Sequence, residues 1–107
     1  MDPSKLHASL IEKGSEKART QAYASTTDRL RKQIRAQWVV HHINSGNTIG
    51  KAESMALIEE DYIEACQTAE AAEEAAGIAA VEYESAQAWF RAWQTLEASE
   101  RARMTLR

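Results

Sequence analysis

Residues 62–93, YIEACQTAEAAEEAAGIAAVEYESAQAWFRAW, decide the fold that this sequence predicts. Two series of apolar residues repeat within this stretch at intervals of seven. The first series is Tyr62, Ala69, Ala76, Tyr83 and Phe90, and the second is Ala65, Ala72, Ala79, Ala86 and Trp93. A heptad pattern sustained over four repeats is typical of a helix that packs along another helix. The stretch therefore predicts one long helix, with close helix approach near 65–79 and bulkier packing near 83–93.

The remainder of the chain supplies a partner for this helix. The only proline, Pro3, stands where a helix can begin, and the run Asn44-Ser45-Gly46-Asn47-Thr48 is typical of a turn. We predict an all-α fold in a single domain, 1–107: an antiparallel helical hairpin with one long C-terminal helix plus a short N-terminal helix, three-helix or coiled-coil-like. The predicted elements are a short helix at 3–13, a first arm at 15–45, a turn at 46–50 and a long second arm at 51–105. Gly14 either marks the break between the first two or lies inside one continuous helix.

The first arm carries an apolar stripe at helical spacing, formed by Tyr23, Leu30, Ile34 and Trp38, with Thr27 and His41 on the same stripe. Antiparallel pairing around the turn sets Ile34 near Tyr62. The second arm would be about 80 Å long and the first only about 45 Å, since each helical residue rises 1.5 Å. The aromatic end of the long helix therefore needs a cover. Either the N-terminal segment with Leu6, Leu10 and Ile11 provides it, or a second copy of the chain does.

Charge is distributed unevenly along the sequence. The net charge is −3, yet residues 1–50 hold eight Lys or Arg against four acids, and residues 51–107 hold five against twelve. Ten acids and no basic residue lie between Lys51 and Arg91. This asymmetry predicts an acidic surface on the second arm and a basic one on the first.

Location is predicted mainly from what the sequence lacks. The single cysteine, Cys66, excludes an internal disulfide and fits a reducing compartment. No apolar run approaches the roughly 20 residues that cross a bilayer, and the N-terminus does not have the layout of a secretory signal. We therefore expect a cytoplasmic protein, in the host cytoplasm if it is viral, that makes no membrane contact.

Enzymatic chemistry finds little support in the residue pattern. His41 and His42 are adjacent rather than four apart, and the Glu-x-x-His motif of di-iron helical bundles is missing. The loop 46–50 lacks the Gly-Lys-Ser/Thr ending of a phosphate-binding loop. Cys66 lies on or beside the apolar seam, where it should behave as a small hydrophobe. We expect no catalytic residue, no cofactor and no metal.

Three groups of residues are candidates for contact with a partner. An acidic face would comprise Glu59, Glu60, Asp61, Glu64, Glu70, Glu73 and Glu74. The aromatic residues Trp89, Phe90 and Trp93 would form either core or an oligomer or partner contact. Arg29, Arg31, Lys32 and Arg35 could touch nucleic-acid phosphates, or be neutralised by the acids of the second arm across the hairpin.

The segment Ala88-Trp89-Phe90-Arg91-Ala92-Trp93-Gln94-Thr95-Leu96-Glu97-Ala98-Ser99-Glu100-Arg101-Ala102, with Lys51-Ala52-Glu53 and Asp61-Tyr62 before it, resembles small helical accessory proteins of tailed bacteriophages. The likeness covers about the last 55 residues and departs from such relatives at Gln94-Thr95, where they often carry Arg-Thr. In those families the genes often lie among recombination, replication or host-takeover functions. The resemblance implies a viral accessory protein that acts by binding, and it assigns a role to no single residue.

The sequence supports three hypotheses of function. The first is a non-enzymatic accessory protein that binds a host protein or protein–nucleic-acid complex and modulates or inhibits it, as anti-defence proteins do, through an acidic face that imitates DNA. The second is a nucleic-acid-associated helper in recombination or replication that uses the basic arm. The third is a structural oligomer, a homodimer for example, formed through the alanine seam. The overall negative charge makes direct nucleic-acid binding the less favoured mode.

Overall fold

The computed structural model describes residues 2–106, which form three helices and no strand. The helices are α1 at Pro3–Asn44, α2 at Ile49–Ala56 and α3 at Glu60–Thr105. The predicted all-α fold, with antiparallel helices and a long C-terminal helix, is confirmed. None of the three described helices carries an apolar stretch long enough to cross a membrane.

Two of the predicted helix boundaries are wrong. Of the two alternatives at Gly14, the continuous helix is confirmed and the separate short helix at 3–13 is wrong, because α1 runs through Gly14 without a break. The second arm is instead divided, since Leu57 to Glu59 separate α2 from α3. The 3₁₀-type hydrogen bonds from Ile58 N to Met55 O and from Glu59 N to Ala56 O end α2 there.

The turn between α1 and α2 is shorter than predicted, because α2 already begins at Ile49. Gly46 adopts a positive φ of 99°, a left-handed conformation in which glycine meets no Cβ clash. Thr48 is the N-cap of α2, and its side chain accepts a hydrogen bond from Lys51 N. The left-handed Gly46 and the Thr48 cap thus allow α2 to begin three residues after Gly46.

The chain divides into two compact units, each containing part of α1 and part of α3. The terminal unit comprises the chain up to Arg19 and the chain from Gly77 onward, and the turn unit is Thr20–Ala76. In the terminal unit Lys13 Nζ lies 3.1 Å from Glu82 Oε2, and the rings of His7 and Phe90 are 6.2 Å apart. Because the earlier α1 residue meets the later α3 residue, the helices run antiparallel there, and the N-terminal segment lies against the aromatic end of α3, which was one of the two predicted covers.

The heptad positions of α3 form its contact face, as predicted. The buried members are Tyr62, Ala69, Ala72 and Ala79, and the half-buried ones are Ala65, Ala76, Tyr83, Ala86, Phe90 and Trp93. No large side chain among the described residues is fully buried. The interior is therefore shallow and built mostly from alanine.

The apolar stripe predicted on α1 is partly wrong. Tyr23 is 55% exposed and Leu30 is 49% exposed, whereas Thr20 and Thr27 are buried. The Thr27 hydroxyl donates to the carbonyl oxygens of Tyr23 and Ala24, each at 3.0 Å, so its burial leaves no hydrogen bond unmade. Small residues with internally satisfied hydroxyls thus occupy the contact face in place of the larger apolar ones.

Enlarging a buried alanine should destabilise the turn unit. Ala72 is 4% exposed, and Ala72→Leu should lower the free energy of unfolding by about 1–3 kcal/mol because the added atoms have no space. Ala71→Leu is the matched control, since Ala71 is exposed on the same helix. Urea unfolding followed by circular dichroism measures both, and equal stability of the two variants would contradict the close helix approach.

The two glycines inside the long helices should respond differently to alanine. A Cβ at Gly77 would meet no atom within 4 Å, so Gly77→Ala should raise the free energy of unfolding by about 1 kcal/mol through helix propensity. A Cβ at Gly14 would lie 3.1 Å from Cε2 of Tyr83, whose ring also holds Lys17 Nζ at 5.1 Å from its centroid. Gly14→Ala should therefore raise the free energy of unfolding by less than Gly77→Ala does in the same experiment. An equal gain would show that the Tyr83 ring moves freely.

Candidate functional site

Five of the seven predicted acidic-face residues form an exposed acidic surface on α3. They are Glu60, Glu64, Glu70, Glu73 and Glu74, and all belong to the turn unit. No ion pair within residues 2–106 engages any of them. Glu60 with Glu64, and Glu70 with Glu74, are four residues apart, so each pair shares a helix face and the like charges repel each other slightly. A cationic partner would relieve that repulsion.

The other two predicted members, Glu59 and Asp61, make contacts within the protein. Glu59 Oε1 lies 2.9 Å from His42 Nε2. Asp61 Oδ1 accepts a hydrogen bond from Trp38 Nε1 at 2.6 Å and another from the backbone N of Tyr62 at 2.9 Å. Both carboxylates hold the start of α3 against the end of α1, and neither belongs to the acidic surface.

A cluster of rings around Trp38 was missed by sequence reasoning. The Trp38 ring stacks on His42 with centroids 5.6 Å apart and meets the edge of His41 at 5.4 Å. Asn47 Nδ2 donates to the carbonyl oxygen of the buried His42 at 3.0 Å. The spacing of Trp38 from His41 and His42, three and four residues along a helix, was the available signal.

The cluster has limited chemical capacity. Within residues 2–106, no group of three or more His, Cys, Asp and Glu side chains is placed to hold a metal ion. Cys66 is free and half-buried. The pair of His42 and Glu59, with the hydrogen bond from Trp38 to Asp61, joins the two helices beside the turn, and a structural role accounts for all of its contacts.

The basic residues of the first arm separate into two pairs. Arg31 and Lys32 both bind Asp28 of the same helix, with Lys32 Nζ at 3.0 Å from Asp28 Oδ2. Hydrogen bonds from Arg31 and then Lys32 hold the pKa of the Asp28 carboxyl below its usual range, and the Asp28 hydrogen bond raises the pKa of Arg31. Arg29 and Arg35 are exposed, and no ion pair inside residues 2–106 includes them.

The basic arm is thus not neutralised across the hairpin in the way the sequence suggested. Asp28 takes two of the four cations within α1, since i,i+3 and i,i+4 positions are neighbours on a helix. Arg31 is also half-buried. Of these four residues, Arg29 and Arg35 are the two that no ion pair within residues 2–106 includes.

The three aromatic residues of the terminal unit separate as well. Phe90 and Trp93 are half-buried with ring centroids 5.9 Å apart, and His7 packs on Phe90. The N-terminal part of α1 therefore lies against this end of α3, and its Leu6 and Leu10 are half-buried. Trp89 is 59% exposed and does not share the half-buried environment of Trp93.

Removing the Asp61 carboxylate should destabilise the turn unit. Asp61→Ala should lower the free energy of unfolding by about 1–2 kcal/mol, because the Trp38 indole and the first turn of α3 both lose an acceptor. Glu64→Ala, one turn further along α3, should change it by no more than about 0.5 kcal/mol. Denaturant titration of both variants tests the assignment, and a tolerated Asp61→Ala would return Asp61 to the acidic surface.

No protein-family model matches the chain, and neither a curated protein nor a solved structure matches it.

Proposed function

We propose that this chain is a non-enzymatic binding protein whose acidic surface docks on a basic, nucleic-acid-binding surface of another protein. The observation that carries the proposal is the set of five exposed carboxylates, Glu60, Glu64, Glu70, Glu73 and Glu74, which no ion pair within residues 2–106 neutralises. Unpaired charges of one sign on a rigid element attract a surface of the opposite sign and accelerate its association.

The charge density of the surface supports imitation of a nucleic-acid strand. Glu60 and Glu74 are separated by about 21 Å along the helix axis, since each residue rises 1.5 Å. Five charges over that length are on average about 5 Å apart along the axis, a spacing of the same order as the 3.4 Å per phosphate of one DNA strand. No basic residue interrupts the sequence from Ala52 to Phe90. A groove lined with Lys and Arg that accepts a single strand would meet a series of negative charges spread over one half of the helix surface.

The helical setting keeps these charges in place. Asp61 and Glu59 fix the start of α3 through Trp38 and His42, so Glu60 and Glu64 stand on an anchored segment. Carboxylates held in fixed positions lose less conformational entropy on binding than carboxylates on a mobile loop.

The resemblance of the C-terminal half to accessory proteins of tailed bacteriophages supports a host target. The partner would be a host protein or protein–nucleic-acid complex in the host cytoplasm, and occupation of its nucleic-acid groove would inhibit or modulate it. A helper role on nucleic acid itself has less support, since only Arg29 and Arg35 of the basic arm lack an ion pair within the described chain.

Neutralising the acidic surface should abolish partner binding. The test variant is Glu60→Gln, Glu64→Gln, Glu70→Gln and Glu74→Gln combined. Its matched control, Glu12→Gln, Glu53→Gln, Glu97→Gln and Glu100→Gln, removes the same number of negative charges at other sites. Immobilised protein should retain basic proteins from a bacterial lysate, and added duplex or single-stranded DNA should release them by competing for the same groove. The test variant should lose this retention and the control should keep it.

Two results would contradict the proposal. One is equal retention by the test variant and its control, and the other is retention that DNA does not compete. A mobility-shift titration of the protein with single-stranded and duplex DNA tests the alternative hypothesis, in which the protein binds nucleic acid directly. Salt-sensitive binding that Arg29→Gln with Arg35→Gln removes would support the nucleic-acid helper role instead.

A further inference from the structure

The outward side of α3 in the terminal unit carries large apolar side chains. Ile78 is 55% exposed, Val81 62%, Trp89 59% and Leu96 64%. Exposed Ser85 and Ala92 fall between them. The six residues follow one another at intervals of three or four, so they lie in one row along the helix. We call this row the outer stripe.

The outer stripe is separate from the face that packs on α1. That inner face carries Ala79, Tyr83, Ala86, Phe90 and Trp93, all buried or half-buried. From Ile78 to Leu96 the helix is therefore apolar on two sides, whose centres are about 120° apart around the helix axis. Both apolar sides of such a helix are usually covered, because a contiguous exposed apolar row of this size is uncommon on a monomer.

We propose that a second copy of this chain covers the outer stripe, with the two α3 helices antiparallel about a two-fold axis near the middle of the segment. In that register Ile78 lies beside Leu96 of the second copy, and Ser85 lies beside Trp89 of the second copy. The large Trp89 then meets the small Ser85 of the second copy, and Ile78 and Leu96 form apolar pairs at both ends of the contact. A two-fold contact uses the same patch twice and needs such self-complementarity.

Charges beside the stripe complement each other in the same register. Glu84 and Arg91 are exposed, and no ion pair within residues 2–106 includes either. They flank the outer stripe on the same side, so antiparallel pairing places Arg91 next to Glu84 of the second copy, twice per dimer. A parallel pairing would place like residues at the same level. Flanking charges of this kind set partner choice and orientation in helix pairs.

The remaining acid within this segment does not oppose the contact. Glu82 binds Lys13 of its own chain at 3.1 Å, so its charge is compensated. The stripe from Ile78 to Leu96 is about 27 Å long at 1.5 Å per residue. One helix face of that length buries less area than a standard interface, so the dimer should be weak and reversible.

Sedimentation equilibrium of the full chain over a wide concentration range tests the proposal. The wild-type protein should pass from monomer to dimer as concentration rises. Ile78→Ser with Leu96→Ser should weaken association at least about tenfold, because it empties both ends of the stripe. Ile11→Ser with Leu106→Ser is the matched control, which removes two equally exposed or more exposed apolar residues elsewhere and should leave association unchanged.

A charge exchange tests the occupant and the orientation together. Arg91→Glu alone and Glu84→Arg alone should each weaken the dimer roughly threefold or more, because each puts like charges across the contact twice. The combined variant should restore wild-type association. All of these residues are exposed, so circular dichroism should show an unchanged helix content in every variant.

Three results would overturn the proposal. If the chain stays monomeric at every concentration, a second copy does not cover the outer stripe, and its partner is a different protein. A dimer that survives Ile78→Ser with Leu96→Ser would use another surface, such as the alanine seam. Failure of the combined charge exchange to restore association would exclude the antiparallel register. The variant with a neutralised acidic surface should still dimerise, so this test is independent of the proposed function.

Discussion

Where α1 and α3 meet, alanine and threonine fill the contact that leucine or isoleucine fills in most helical proteins. Ala72 and Ala79 are each 4% exposed, and Thr27 is 5% exposed. Small side chains allow two backbones to approach closely, but each buries little apolar area. The helices are therefore held by a long, shallow contact rather than by a deep core. Many large apolar side chains have no interior to enter, and this is why Ile78, Val81 and Leu96 face outward.

A shallow contact gives weight to individual polar interactions. In the turn unit the hydrogen bond from Trp38 to Asp61 and the pair of His42 with Glu59 fix the register of α1 on α3 beside the turn. In the terminal unit the same role falls to Lys13 with Glu82 and to the packing of Tyr83 on Gly14. Each contact joins residues that are distant in sequence, so losing one loosens a whole helix pair.

The sequence predicted α3 well because its heptad signal is redundant. Alanine and aromatic residues recur at both seam positions over four repeats, and no single exception could shift the contact face. The contact face of α1 could be predicted only in part, because its buried positions Thr20 and Thr27 are polar, although Thr27 lies at a stripe position. A search for large apolar residues selects Tyr23 and Leu30 instead, and both are exposed. Hydrophobic periodicity locates a contact face only when burial and hydrophobicity coincide.

The candidate sites show the same limit. Composition identified the acidic stretch of α3, yet it could not show that Glu59 and Asp61 pair with His42 and Trp38, since those contacts depend on the register of two helices. Likewise, the order of Trp89, Phe90 and Trp93 does not reveal which ring α1 covers. Within α3, exposed carboxylates predominate before Gly77 and exposed apolar side chains after it. Charge attracts at long range and apolar area binds only on contact, so the two stretches suit different partners: a basic surface for the first, and a self-complementary helix for the second.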